Sequence, residues 1–367
     1  MSTVGDVGRA EGMRGASLRV DRVVLGRTGL VAGGVGIRLR RRYAFAFAGC
    51  LVALALVTLV AATAGTLWIP LDRVFDVVAG GGDRVDRIVV GRRLARETTG
   101  LVVGFALGMA GGITQSITRN PLASPDILGV TSGASVFAVI AFVVPLPGLA
   151  GIVSVPLAAL VGGLVVTAIV VALASRGGLD PLRLVLVGVG ITAICGALTQ
   201  WLLMVADVEW AAVAMRWLAG SLGSSSWTDV LMVLPVCVGA IVVTAIVAPG
   251  LAALRLGPDQ ARSLGVRVGA TQGVLLFVAV ALVAVAIAAA GPIGFVAFVA
   301  PQIAMRLFGT PGPPVLAAGV LGAVLVTAAD LVAHHLPVEL PVGVVTSIFG
   351  GIVLLVLLVR IIREARA

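Results

Sequence analysis

Hydrophobic residues in this 367-residue chain fall into long unbroken runs. Soluble strands alternate and soluble helices are one-faced, and neither pattern dominates here. Ten runs approach or reach the length of about 20 residues that a bilayer-crossing helix needs. They lie near 44–67, 94–117, 126–146, 151–175, 182–206, 228–250, 269–290, 295–309, 312–333 and 341–362. The eighth is short and contains Pro301, which predicts a bent or partial span. The pattern predicts an all-α integral membrane protein, a polytopic bundle of about ten transmembrane helices over 44–367. Residues 1–43 carry nine Arg, many Gly and little apolar periodicity, and read as a disordered basic arm. No apolar segment comes early enough for a cleavable signal peptide.

The stretch 115–135 interrupts this pattern most sharply. It is too polar, and too broken by Pro121 and Pro125, to continue a span. Proline removes a backbone donor and restricts the residue before it, so a helix is expected to end near Asn120. Ser124 suits an N-cap, Pro125 the first helical position and Asp126 the positive first turn, so a new helix is expected at once. Broken backbone at the edge of a bilayer must be covered by protein or water. Gln115, Asn120, Pro121 and Asp126 are therefore structural or pathway candidates, with Asn120 and Asp126 as caps holding a re-entering helix.

Composition narrows the reading. The chain is 59% hydrophobic and 12% charged, with a mean hydropathy of +1.15. A net charge of +9 would suggest nucleic acid in a soluble protein; in a membrane protein, positive charge gathers on cytoplasmic loops, and no nucleic-acid partner is expected. All 26 basic residues are Arg. A P-loop needs a lysine on the phosphates, so this chain is not itself a Walker-type ATPase. With the N-terminus inside, nineteen Arg fall on inner segments and seven on outer ones, which predicts that both termini are cytoplasmic. Cys50, Cys195 and Cys237 lie in apolar runs without metal-ligand spacing and read as packing residues. Neither an H-E-x-x-H motif nor a catalytic triad stands out, and no catalytic residue, metal or resident cofactor is expected.

Other segments carry possible chemistry. Residues 254–267 predict a helix of about two turns, with Pro258 and Asp259 at its start and Gly265 at its end. It would present Leu264, Ala261 and Arg262 to a partner groove, or it is a solvated loop. Gly291, Pro292 and Gly294 force a turn, and Pro301 bends the apolar run after it. Gln302 either lines a pathway or bonds a freed carbonyl. Asp330 lies inside an apolar run, where an acid is costly and usually partnered. It carries either proton transfer or a structural ion pair. Arg93 and Arg96 before the second span, with His334 and His335 after the ninth, form a positive outer rim or an interfacial anchor. Gly104, Gly108 and Gly112 line one face of the second span and predict close helix packing.

Four segments together resemble the permease subunits of ABC importers for ferric siderophores, haem and cobalamin. They are Arg-Leu-Ala-Arg at 93–96; Gln115 through Arg-Asn-Pro-Leu-Ala-Ser-Pro-Asp-Ile-Leu-Gly-Val-Thr-Ser-Gly-Ala; Leu-Gly-Pro-Asp-Gln-Ala-Arg-Ser-Leu-Gly-Val at 256–266; and Gly-Pro-Ile-Gly-Phe with Ala-Pro-Gln-Ile-Ala, continuing to Glu-Leu-Pro-Val-Gly-Val-Val-Thr at 339–346. The resemblance implies a type II ABC importer permease that pairs with a second permease subunit, as a homo- or heterodimer, around a central pathway. It implies two cytoplasmic ATPase subunits that use ATP, and an extracytoplasmic substrate-binding (lipo)protein. It makes the 256–266 segment a coupling helix, with Leu256, Gly257, Asp259, Ala261, Arg262, Ser263, Leu264 and Gly265 facing the ATPase. It makes Arg93 and Arg96 docking residues for the binding protein. The family's third docking arginine is His334 here, a titratable replacement. The forms of the second and fourth segments are most similar to ferric enterobactin-type permeases, which implies a catecholate siderophore as substrate. The rival from another class is a proton-coupled secondary transporter using Asp330.

Overall fold

The computed structural model describes residues 27–32, 35–63, 68–143, 154–175, 181–336 and 339–366. Residues 1–45 and 46–367 are two separate compact units. In the first, Arg27–Ala32 (β1) pairs antiparallel with Val35–Arg40 (β2), in register from Arg27↔Arg40 to Ala32↔Val35. This differs from the expected structureless arm over residues 27–40: the β-branched Val31, Val35 and Ile37 flank a Gly-Gly pair in the sequence, the usual hairpin signal. Of the rest of the expected arm, residues 1–26 and 33–34 lie outside the described residues, and 41–43 begin the first helix.

Helices account for the second unit. They are α1 (Arg41–Thr63), α2 (Leu71–Val78), α3 (Arg84–Thr118), α4 (Val130–Val143), α5 (Val155–Ala174), α6 (Pro181–Val205), α7 (Val208–Leu218), α8 (Trp227–Leu256), α9 (Pro258–Ser263), α10 (Val268–Ala290), α11 (Val296–Phe308), α12 (Val315–His335) and α13 (Val342–Arg366). Seven are long and apolar enough to cross a membrane: α1, α3, α5, α6, α8, α10 and α12. Shorter apolar stretches lie in α4, α11 and α13. Together these ten coincide with the ten hydrophobic runs.

The second run is longer than its apolar core. Asp83 caps the chain at Arg84, and α3 reaches 35 residues, ten of them ahead of the apolar stretch. Arg93 and Arg96 are therefore helical. α3 is also the centre of the bundle, packed on α12, α10, α11 and α8. Its seam with α12 is backbone on backbone. A Cβ built on Gly104 or Gly108 would overlap the carbonyls of Gly322 and Ala318, and one on Gly322 would overlap that of Gly104. Small residues allow such an approach, and dispersion between the two backbones replaces the hydrophobic drive that lipid cannot supply.

The predicted bend in the eighth run has a specific partner. Pro301 sits inside α11 and leaves the Ala297 carbonyl without its helical donor. That carbonyl turns onto α3, where a Cβ on Gly111 would overlap it. On the same seam, Gln115 Nε2 donates to the Phe298 carbonyl at 3.0 Å, and Gln302 Nε2 donates to Gln115 Oε1 at 2.7 Å. Gln115 and Gln302 are both buried. They are tied to each other, and it is Gln115, not Gln302, that bonds an α11 carbonyl.

Candidate functional sites at the two ends of the bundle

At the end where α3 terminates, Arg119 adopts a left-handed conformation with φ 52° and stops the helix. Asn120 Oδ1 accepts from the Leu122 backbone N–H at 2.9 Å, which closes a tight turn over Pro121. The expected new α-helix does not begin at Pro125. Residues Pro125–Leu128 make one 3-10 turn, Gly129 turns left-handed, and α4 starts at Val130. The Ser124 hydroxyl does not cap this turn; it donates to Asp126 Oδ2 at 2.7 Å, and Thr131 donates to Asp126 Oδ1. Asp126 does lie in the first turn, and by holding both Ser124 and Thr131 its carboxylate also clasps the turn. Gly129, with φ 75°, ends the short turn one residue before α4 begins.

The α9 segment lies at this same end. A Cβ built on Gly257 would stand 3.5 Å from the Arg119 guanidinium. Gly257 has φ 117°, which lets α8 end and α9 begin within one residue. α9 closes with Gly265 N–H on the Arg262 carbonyl at 2.9 Å and Val266 N–H on Ala261 at 3.0 Å, a left-handed stop at Gly265. Arg262 and Asp259 pair at 2.6 Å on the exposed side. Ser263 bonds back to Gln260, and Leu256 and Leu264 stand exposed at either end. Ala261 differs from expectation. It is fully buried against the bundle, since a two-turn helix lying on a surface has one face down. The face available to a partner is Asp259, Arg262, Ser263 and Leu264, with Leu256 beside it.

At the opposite end, Arg93 and Arg96 of α3 are engaged within the chain. Arg93 donates to the carbonyls of Ala62 and Thr63 at 3.0 and 3.1 Å, capping the end of α1. Arg96 grips Asp330 of α12 with two bonds, Nε to Oδ2 at 2.7 Å and Nη2 to Oδ1 at 2.8 Å. Asp330 thus has a partner 234 residues away, and the ion-pair reading replaces the unpaired intramembrane acid. His334 stands 3.5 Å from Glu339 and edge-on to His335. Arg93, Arg96, Asp330, His334 and His335 line one cavity of about 360 Å³, together with Arg92, Glu97, Ser224 and Ser225. Three atoms of its lining residues, Glu97 Oε2, Ser225 Oγ and His334 Nδ1, are buried without a hydrogen-bond partner among the described residues. Sequence reading missed Glu97: it follows Arg96 directly, and local pattern cannot say that one of two adjacent polar residues turns inward.

Ten apolar helices, with a broken and internally clasped backbone at one end and a polar cavity at the other, define a multi-pass α-helical membrane protein. Comparison with known proteins agrees. The model of the FecCD transport family matches residues 50–360, and the chain belongs to that family. It is 40% identical over 303 residues to the ferric enterobactin transport system permease protein FepG of Escherichia coli (strain K12), covering 82% of this chain and 91% of that one. It is 36% identical over 284 residues to the hemin transport system permease protein HmuU of Yersinia pestis, covering 75% and 84%. A solved inward-facing metal-chelate-type ABC transporter superposes with a TM-score of 0.76 at 25% identity, over 87% of this chain and all of that one. The chain is therefore a permease subunit of an ABC importer for metal chelates.

Proposed function

We propose that this permease imports a ferric siderophore of the catecholate, enterobactin-like class, driven by ATP hydrolysed in separate subunits. The 40% identity with FepG over nine-tenths of that protein carries the substrate assignment. In this reading both termini face the cytoplasm, and two permease subunits enclose the pathway. α9 is the coupling helix: Leu256, Leu264 and Arg262 are exposed on a short helix seated by Ala261, a form that fits a groove in an ATPase. The opposite cavity is the docking end for a substrate-binding protein. There Arg92 is exposed at the rim, while Arg96 positions α12 through Asp330. The proton-coupled reading loses its support, because the Asp330 carboxylate is already held at both oxygens by a guanidinium.

Uptake of iron-55 chelates tests the substrate. The permease is expressed with its ATPase and binding protein in cells lacking their own siderophore permeases. Iron from catecholate chelates should enter, and uptake of hydroxamate chelates alone would overturn the class. Co-purification tests the coupling helix. Arg262→Glu with Leu264→Asp should abolish recovery of the ATPase with an unchanged yield of membrane-inserted permease, and normal recovery would remove α9 from the interface.

A further inference from the structure

The segment between α1 and α3 carries an exposed apolar surface. Viewed down α2, its residues fall into three sectors. Val74 is buried and Val77 partly buried, packed with Ile69, Ala62 and Val90 against the bundle. Asp72, Arg73 and Asp76 form a polar flank, with Arg73 reaching Asp86 at 3.6 Å. Between them runs a stripe of exposed apolar side chains, Trp68, Leu71, Phe75 and Val78. Leu71, Phe75 and Val78 are four and three residues apart, which puts them on one face of α2, and Trp68 stands in the segment just ahead of the helix. A helix with a protein side, a water side and an apolar side between the two has the cross-section of one lying along a membrane surface.

Two further observations say what covers the stripe. First, α2 begins eight residues after α1 ends at Thr63, and α1 bears exposed Leu51, Val52, Leu56, Leu59 and Val60. An apolar spanning helix presents such a face to lipid, and α2 follows it closely in the chain. Second, all five tryptophans of the chain are at this end of the bundle. Trp68 precedes α2, Trp201 lies in the last turns of α6, Trp210 and Trp217 are on α7, and Trp227 opens α8. Four of them, all but Trp217, are exposed. Tryptophan gathers at the level of the lipid headgroups, so these residues mark that plane, and Trp68 ties α2 to it.

We propose that α2 is an interfacial anchor whose Trp68–Leu71–Phe75–Val78 stripe is seated in the headgroup boundary of the adjoining leaflet. The occupant is lipid and not a second protein. Asp72, Arg73 and Asp76 sum to one negative charge, so the anchor needs no anionic lipid and holds by apolar burial in a zwitterionic leaflet.

Site-directed spin labelling tests this. Cys50, Cys195 and Cys237 are replaced by Ala, and single cysteines are placed at Leu71, Phe75 and Val78, with Asp72 and Asp76 as controls. The full-length permease is reconstituted in phosphatidylcholine nanodiscs. Collisions with oxygen and with a water-soluble nickel chelate then give the depth of each label. Labels at 71, 75 and 78 should favour oxygen and lie about 5–10 Å below the phosphates, while those at 72 and 76 should favour nickel. Nickel accessibility at 75 equal to that at 72 would place the stripe in water and overturn the proposal. Labels at 71 and 75 shielded from both reagents would mean that protein covers the stripe, which overturns it equally. Three stripe positions are used so that one disturbed label does not decide the result.

Discussion

Replacing Asp330 by Asn probes the contact that joins α3 to α12 at the cavity end. Two charge-assisted hydrogen bonds, 2.7 and 2.8 Å long, are lost or weakened. Each contributes about 1.5–3 kcal/mol net. The Asp330 side chain is 4% exposed and the Arg96 side chain 24%. Water reaches the guanidinium from the cavity, so the low end of the range applies and the loss is about 3 kcal/mol. Most of it is the cost of an Arg96 left buried without its counter-charge. Removing the second partner therefore adds little. Unfolding of the purified permease in mixed micelles, titrated with a denaturing detergent, gives the free energies for Asp330→Asn, Arg96→Met and the double variant. Each single change should cost about 3 kcal/mol and the pair barely more, a coupling of at least about 2 kcal/mol. Additivity within about 0.5 kcal/mol would show that the two side chains do not depend on each other, and the reasoning would fail.

Three further outcomes are expected from the packing. Gly108→Ala forces a methyl into the Ala318 carbonyl and should cost about 1–3 kcal/mol, read as a lower Tm. Gly91→Ala on the same helix meets open space, so it should gain up to about 1 kcal/mol from helix propensity; a loss there would undo the contrast. Gln302→Leu strips Gln115 of its donor and should cost about 1 kcal/mol, and adding Gln115→Leu should not double the loss, as the same detergent titration would report.

Much of the architecture could be read from the chain because a bilayer imposes one strong rule, about twenty apolar residues per crossing. The ten runs map onto ten helices for that reason. The break after Thr118 was legible for the same kind of reason, since Asn120-Pro121 cannot continue a helix. Its geometry was not: Ser124-Pro125-Asp126 is good helix-start chemistry, and only the left-handed Gly129 shows why one turn forms and stops. α2 and α7 escaped notice because 8 and 11 residues are too few to stand out as spans. Which face they turn to the bundle appears only once their packing is known. The Arg96–Asp330 pair was out of reach for another reason. Each residue signals a need for a partner, but nothing local pairs positions 234 apart. The buried Ala261 shows the converse: a short helix announces itself in sequence, and the face it turns inward does not.

The seam between α3 and α12 has a mechanical consequence. Where Gly104 and Gly108 meet Gly322 and Ala318, there is no room for one methyl group. Two surfaces in such contact can neither slide nor tilt without collision, and parting them forfeits every contact at once. α3 and α12 therefore travel as a single lever. Arg96–Asp330 pins it at one end, and the Arg255 guanidinium holds it at the other through Ser116 and the Pro313 carbonyl. α8 is built differently: Pro235 and Pro249 inside it each remove one helical hydrogen bond, so it lacks the unbroken backbone ladder that a stiff member has.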